Sequence, residues 1–206
     1  MADNTLQAFW IVLLYDNLRR LFAGQDVFVA ADLLWYPVKG DPKTRVAPDN
    51  LIVFGRPDGY RGSYKQWLEE DIPPQVVFEV LSPSNTGAEM LNKLAFYERY
   101  GVEEFIVLDP ENSDFVSYTR QNEKLIKSNQ SGQNWKSSKL GIKISIEGED
   151  LIVRHQDGSM FKTFTELDQE KEELKKEQET LAAEKDAALS EVEKLKARLR
   201  ELGEDV

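Results

Sequence analysis

Apolar residues recur at helical spacing through LQAFWIVLLYDNLRRLF (6–22), with Asn4 or Thr5 placed to cap the start, and this pattern predicts a helix. The pattern then changes. VFVAADLLWY (27–36) reads as a strand, LIVF (51–54) as a second, buried strand after Pro48-Asp49, and VVFEVLS (76–82) as a third. Thr86 to Tyr100 returns to helical spacing and Gly101 ends it, after which EFIVLD (104–109) is another apolar strand, stopped by Pro110. FVSYTR, KLIKS, IKISI and LIVRH follow as antiparallel strands or hairpins around glycine and asparagine turns. A helix, three strands, a helix and a further strand predict an α/β fold: a mixed central sheet with helices against it.

Beyond residue 165 the pattern changes again. From Glu166 to Val206 there is no aromatic, no proline and one glycine, as in a long solvated helix. Leu167, Leu174, Leu181, Ala188, Leu195 and Leu202 repeat every seven residues. With these at d, the a positions are Phe164, Lys171, Gln178, Lys185, Val192 and Leu199, so the seam is polar in its middle and apolar at its end. Such a segment is either a coiled coil that joins subunits or recruits a partner protein, or a charged single helix held by pairs such as Glu172 with Lys176. The unbroken ladder favours the first. It divides the chain into a folded domain (1–165) and a charged coiled-coil tail (166–206).

Charge and composition narrow the function. A chain of 206 residues, 41% apolar, buries one good core plus an appendage. The net charge of −11 disfavours a broad grip on nucleic acid by the whole surface and leaves local basic stretches open. The absence of cysteine excludes a disulfide framework, a thiolate metal site and a cysteine nucleophile. AFWIVLLY (8–15) is short, follows Asp3 rather than lysines and lacks a small-residue cleavage site, so neither a signal peptide nor a membrane span is expected, and the expected location is cytoplasmic. Neither G-x-x-x-x-G-K-[ST] nor G-x-G-x-x-G after a strand occurs, which disfavours nucleotide hydrolysis and dinucleotide chemistry.

Glu79 is the one polar letter between Val76 and Leu81. A lone carboxylate in such a run costs several kcal/mol unless its charge is compensated. Asp49 stands at the mouth of the preceding strand, and pairing of the two strands would bring both carboxylates to one place. Two clustered carboxylates resist ionising together unless a cation sits between them, and an oxygen-rich site of this kind suits Mg²⁺ or Mn²⁺. Phosphodiester hydrolysis is the natural chemistry of such a site.

VAADLLWYP, APDNLIVFGRPDG, PPQVVFEVLSPS and KLAFYERYGVEEFIVLDP, in this order and spacing, resemble the Uma family of restriction endonucleases, a branch of the PD-(D/E)XK nuclease superfamily. The resemblance covers residues 27–110, thins towards 165 and excludes the tail. It implies a restriction-endonuclease-like fold, DNA as substrate, and metal binding by an aspartate after proline and a glutamate on the next strand, here Asp49 and Glu79. The superfamily's lysine lies two residues after that glutamate, where this chain has Leu81. In the Uma branch the lysine comes from the next helix, and the matching residue is Lys93, which would orient the attacking water or offset phosphate charge. The branch's aspartate four residues earlier is Glu89 here.

Each candidate has a plainer reading. Asp49 can be a turn residue after Pro48, and Lys93 a helical partner of Glu89. Asp32, matched by an aspartate in the family, is a third metal or water ligand or an exposed residue of an alternating strand. GRPDGYRGSYKQW (55–67) interleaves Arg56, Arg61 and Lys65 with aromatics, either as a nucleic-acid contact loop or as an excursion anchored by its rings. Glu69 and Glu70 read as surface charges, Asp109 as a strand terminator and His155 as a surface residue. Two function classes result: a metal-dependent DNA endonuclease whose tail brings two sites together, and a nuclease-fold binding or assembly module working through its coiled coil.

Overall fold

The computed structural model describes residues 2–201, with side chains to Arg198. Asn4 caps the first helix, α1 (Thr5–Leu21), its side-chain oxygen accepting from the Gln7 N–H at 2.8 Å. One stripe of α1, including Trp10, Ile11, Leu14 and Leu18, is buried against the sheet.

The stretch predicted as one strand over 27–36 is two. Asp32 adopts φ 47°, and this left-handed residue ends β1 (Val27–Ala31) before β2 (Trp35–Tyr36) begins. The break lets Trp35 leave the sheet and bury completely, with β2 pairing in parallel with the short β4 (Tyr64–Lys65). The other main strands are β3 (Asn50–Phe54), β5 (Val76–Val80), β6 (Glu104–Asp109), β7 (Asp114–Gln121) and β8 (Lys124–Lys127), and they form a six-stranded sheet in the order β1-β3-β5-β6-β7-β8. Every neighbouring pair is antiparallel except β5 and β6, which the helix α2 (Gly87–Arg99) connects as a crossover. Thr86 caps α2 through the Glu89 N–H, and Gly101 follows its end at φ 94°, where a Cβ would stand 3.1 Å from the Pro73 ring.

The two sheet faces carry separate cores. Val76, Phe78 and Val80 face α1, while Val77 faces α2 together with Leu51, Val53, Trp35 and Tyr97. A small antiparallel sheet of β9 (Asn134–Lys136), β10 (Lys143–Glu147) and β11 (Asp150–Arg154) adds Trp135, Ile144 and Val153 to the α1 side. Like β4, β9 has no sequence counterpart. It leads into a tether on Glu104, which is 1% exposed at the start of β6 and accepts from the Ser137 hydroxyl, the Ser138 N–H (2.8 Å), the Ser138 hydroxyl (2.6 Å) and the Lys139 N–H (3.2 Å).

The chain divides into two compact units, the first ending at Phe161 and the second starting at Lys162. The second is the long helix α3 (Phe164–Glu201), opened by a reciprocal cap in which Thr163 N–H reaches Glu166 at 2.7 Å and Glu166 N–H reaches the Thr163 hydroxyl at 3.2 Å. Leu174, Leu181, Val192 and Leu195 are all exposed on it. Leu202 and the side chain of Leu199 lie outside the described residues. No helix among those described is long and apolar enough to cross a membrane.

Candidate active site

Alternation along β5 points Glu79 away from the α1 core and towards α2, where it is only 2% exposed. Two residues one helical turn apart meet it. Lys93 Nζ donates to Glu79 Oε2 at 2.8 Å, and the Tyr97 hydroxyl donates to Oε1. Tyr97 is itself held flat against Trp35, the ring planes 3° apart and the centroids 6.3 Å.

The ladder between β3 and β5 ends at Asn50 opposite Phe78, so one further residue places Asp49 opposite Glu79 on the same face. There Asp49 Oδ2 accepts from the Val80 N–H at 2.7 Å, beyond the last ladder bond. The Val80 carbonyl is held as well, by Gln7 Nε2 of α1 at 2.7 Å. On the other side Asp32 N–H donates to the Asp49 carbonyl at 3.1 Å, carrying the β1 register forward. Three neighbouring strands thus end in Asp32, Asp49 and Glu79. All three line one cavity of about 210 Å³, together with Lys93, Glu89 and Gln7.

The electrostatics follow from burial. Removal from water pushes the Glu79 carboxyl up to about 7, against the nearby Lys93 ammonium that favours its ionised form and with the Asp49 charge that opposes it. Burial likewise raises Asp49 above the usual carboxylate range, although the Val80 N–H, Lys93 and a hydrogen bond with Glu79 hold it back. Burial works to lower Lys93, but Glu79 first, then Asp49 and Glu89, outweigh it and keep the ammonium charged above its ordinary range. The cavity therefore brings together more carboxyl groups than its one lysine can pair, and Glu79 holds its proton more tightly as a result.

A sequence-family model described as "Uma2: Putative restriction endonuclease" matches residues 3–147. The chain belongs to the Uma2 family. That makes it a member of a nuclease family, and the match reaches α1 and the small sheet as well as the cavity. A crystal structure described as "a putative nuclease belonging to DUF820", from Anabaena variabilis, shares the fold at a TM-score of 0.52 and 11% identity, over 68% of this chain and 76% of that one. No curated protein matches the chain at a significant level.

The donor set of this Uma2 chain fits a divalent cation of the Mg²⁺ class, which takes one or two carboxylates and completes its shell with water and phosphate oxygens. Asp49 and Glu79 are the pair that would hold it. Among the described residues no three Asp, Glu, His or Cys side chains close into a metal cage, so Asp32 lines the cavity without completing one. Lys93 makes its ion pair with Glu79, and Glu89 acts on it through charge alone.

The 55–67 loop lies elsewhere. Arg56 is paired with Glu70 at 2.9 Å, and Arg61 with Glu69 at 2.7 Å while its guanidinium lies 4.0 Å over the Phe28 ring. Lys65 is exposed, and none of the three lines the cavity. Tyr97 and Gln7 are the site neighbours that sequence reasoning missed. Tyr97 repeats Lys93 one turn on, and Gln7 is a polar letter in the buried stripe of α1.

Proposed function

We propose that this chain is a divalent-metal-dependent nuclease that hydrolyses DNA phosphodiester bonds, with Asp49 and Glu79 as metal ligands and Lys93 as the ammonium beside the reacting phosphate. The observation that carries this reading is the convergence of the two carboxylates and Lys93 on one polar cavity at the ends of β3 and β5. A cation bound there would polarise the phosphoryl group and stabilise the departing oxygen. Lys93 spends one of its three donors on Glu79, leaving the others for water or a phosphate oxygen. Because its pKa is raised, it acts as a charged donor and not as a base. Tyr97 and the clamp on the Val80 peptide by Asp49 and Gln7 keep the carboxylates in place.

The test is cleavage of plasmid and oligonucleotide DNA with Mg²⁺ or Mn²⁺, expected to occur and to stop on chelation. Lys93→Gln is expected to lower the rate by about 10²-fold or more while leaving Mn²⁺ affinity equal or higher, since it removes a cation that competes for Glu79. Calorimetric titration of Mn²⁺ reads the second effect. Weaker Mn²⁺ binding by this variant would contradict the role given to Lys93.

A second reading has its own support. Both Glu79 oxygens already have donors, Lys93 and Tyr97, as in a nuclease fold kept for binding or assembly. The absence of any Mn²⁺ heat in that titration would favour it.

We also propose that α3 joins subunits. Its exposed Leu174, Leu181 and Leu195 form a seam that a single helix leaves in water. Truncation at residue 165 is expected to yield a smaller assembly by light scattering with unchanged Mn²⁺ affinity; an unchanged subunit count would assign the tail to another protein partner.

A further inference from the structure

We propose that the groove between α2 and the 43–45 turn is the track of the DNA backbone on its way to the cavity. This rests on the nuclease reading above and adds to it the surface that grips the substrate. The groove, about 380 Å³, is lined by Lys43, Arg45 and Arg99, with Asn92, Phe96 and Tyr100 among its other walls. Both elements that build it also build the catalytic cavity. Lys93 and Glu89 of α2 line the cavity, and Ala47 and Asp49 continue the chain from Arg45 into it.

The charge here is uncommitted in a protein that is acidic overall. Arg19, Arg56, Arg61 and Arg154 each sit on a carboxylate, and Arg120 is bound to backbone carbonyls. Arg45 and Arg99 have aromatic partners instead, the Tyr36 hydroxyl at 3.5 Å and the Tyr100 ring at 5.4 Å. Lys43, Arg45 and Arg99 are exposed, and none makes an ion pair among the described residues. The nearest acid in sequence, Asp41, is turned onto its own loop, where it accepts from Lys43 N–H, Thr44 N–H and the Thr44 hydroxyl. The wall behind the cations is stiff, because Phe96 and Tyr100 pack edge-on against buried Trp35. Arg99 follows Lys93 by six residues, about 9 Å along the helix axis, so a strand lying in the groove delivers successive phosphates from Arg99 and Arg45 towards Lys93.

The test is fluorescence anisotropy of labelled single-stranded and duplex DNA with the full chain in chelator, across a salt series. Lys43→Gln/Arg45→Gln/Arg99→Gln is expected to weaken binding about tenfold or more, and to flatten the slope of log K against log salt by roughly 2–3, at about 0.7–0.9 per lost phosphate contact. A charge-matched control, Lys127→Gln/Lys136→Gln/Lys143→Gln, is expected to bind like the unaltered chain. Far-ultraviolet circular dichroism checks the fold of both. Equal losses in the two triple variants, no loss in the first, or no binding of either probe by the unaltered chain would overturn the groove. Mn²⁺ affinity and metal-dependent cutting, measured separately, decide whether the nuclease reading falls with it.

Discussion

Glu79→Gln is expected to abolish metal-dependent cleavage, a loss of about 10²–10⁴-fold or more, while leaving a folded protein. The amide keeps the shape and the contact with Tyr97 but removes the charge that a cation needs. The same substitution carries a stability signature. Because the folded-state pKa of Glu79 is raised to about 7, both folded and unfolded chains bind the proton at low pH and the residue is then harmless. As pH rises from about 4.5 the unfolded chain releases that proton and the folded chain does not, so the metal-free protein loses stability until about pH 7, where the loss levels off. Glutamine has no such dependence. The metal-free variant should therefore gain on the unaltered protein across that window, by an amount on the order of a few kcal/mol. Lys93, with its pKa raised, keeps its proton at these pH values in the folded and the unfolded chain alike and releases it only in alkali, so its own titration does not blur the window. Denaturant melts of both proteins at several pH values read the effect. A stability difference that is flat in pH, or cutting by the variant at the normal rate, would remove Glu79 from the centre of the site.

Glu104→Ala is expected to cost about 3–5 kcal/mol, because it strands the Ser137 hydroxyl and the Ser138 and Lys139 N–H groups that converge on one buried carboxylate. Calorimetry should show a melting temperature lower by about 10 °C. Glu104→Gln should fall between the two, since one of its side-chain positions accepts and the other cannot. Glu104 pairs with Val76 at the far end of β5 from Glu79, so Mn²⁺ affinity is expected to stay unchanged. A melting temperature within a degree or two of the unaltered protein would mean that water replaces the carboxylate.

The main elements were legible because each carries its own period: helical spacing in α1 and α2, apolar runs in β3, β5 and β6. What sequence left open was set by partners distant in the chain. Glu79 and Glu104 are both buried acids in apolar strands, yet only the first interrupts its run. Glu104 opens its strand, and the serines it receives come more than thirty residues later. The turn at Asp32 was hidden because VFVAADLLWY, apolar at every position but Asp32, passes as one strand. Gln7 meets the Val80 carbonyl across 73 residues, a distance no local pattern encodes. The cations at 56 and 61 looked available because Glu69 and Glu70, which neutralise them, lie beyond a turn. The juxtaposition of Asp49 and Glu79 was legible from strand order alone, whereas the approach of Asp32 to the same cavity depends on a left-handed backbone conformation that composition does not reveal.

Leu81, two residues after Glu79, also lines the cavity, and its N–H is bonded to the Leu108 carbonyl at 2.8 Å. An ammonium could therefore enter the same space from the strand or from the helix. What the fold specifies is the point of arrival, and the position from which the side chain starts is exchangeable. A lysine in place of Leu81 would start from the strand and Lys93 starts from the helix, yet both would end beside the same Glu79 carboxylate.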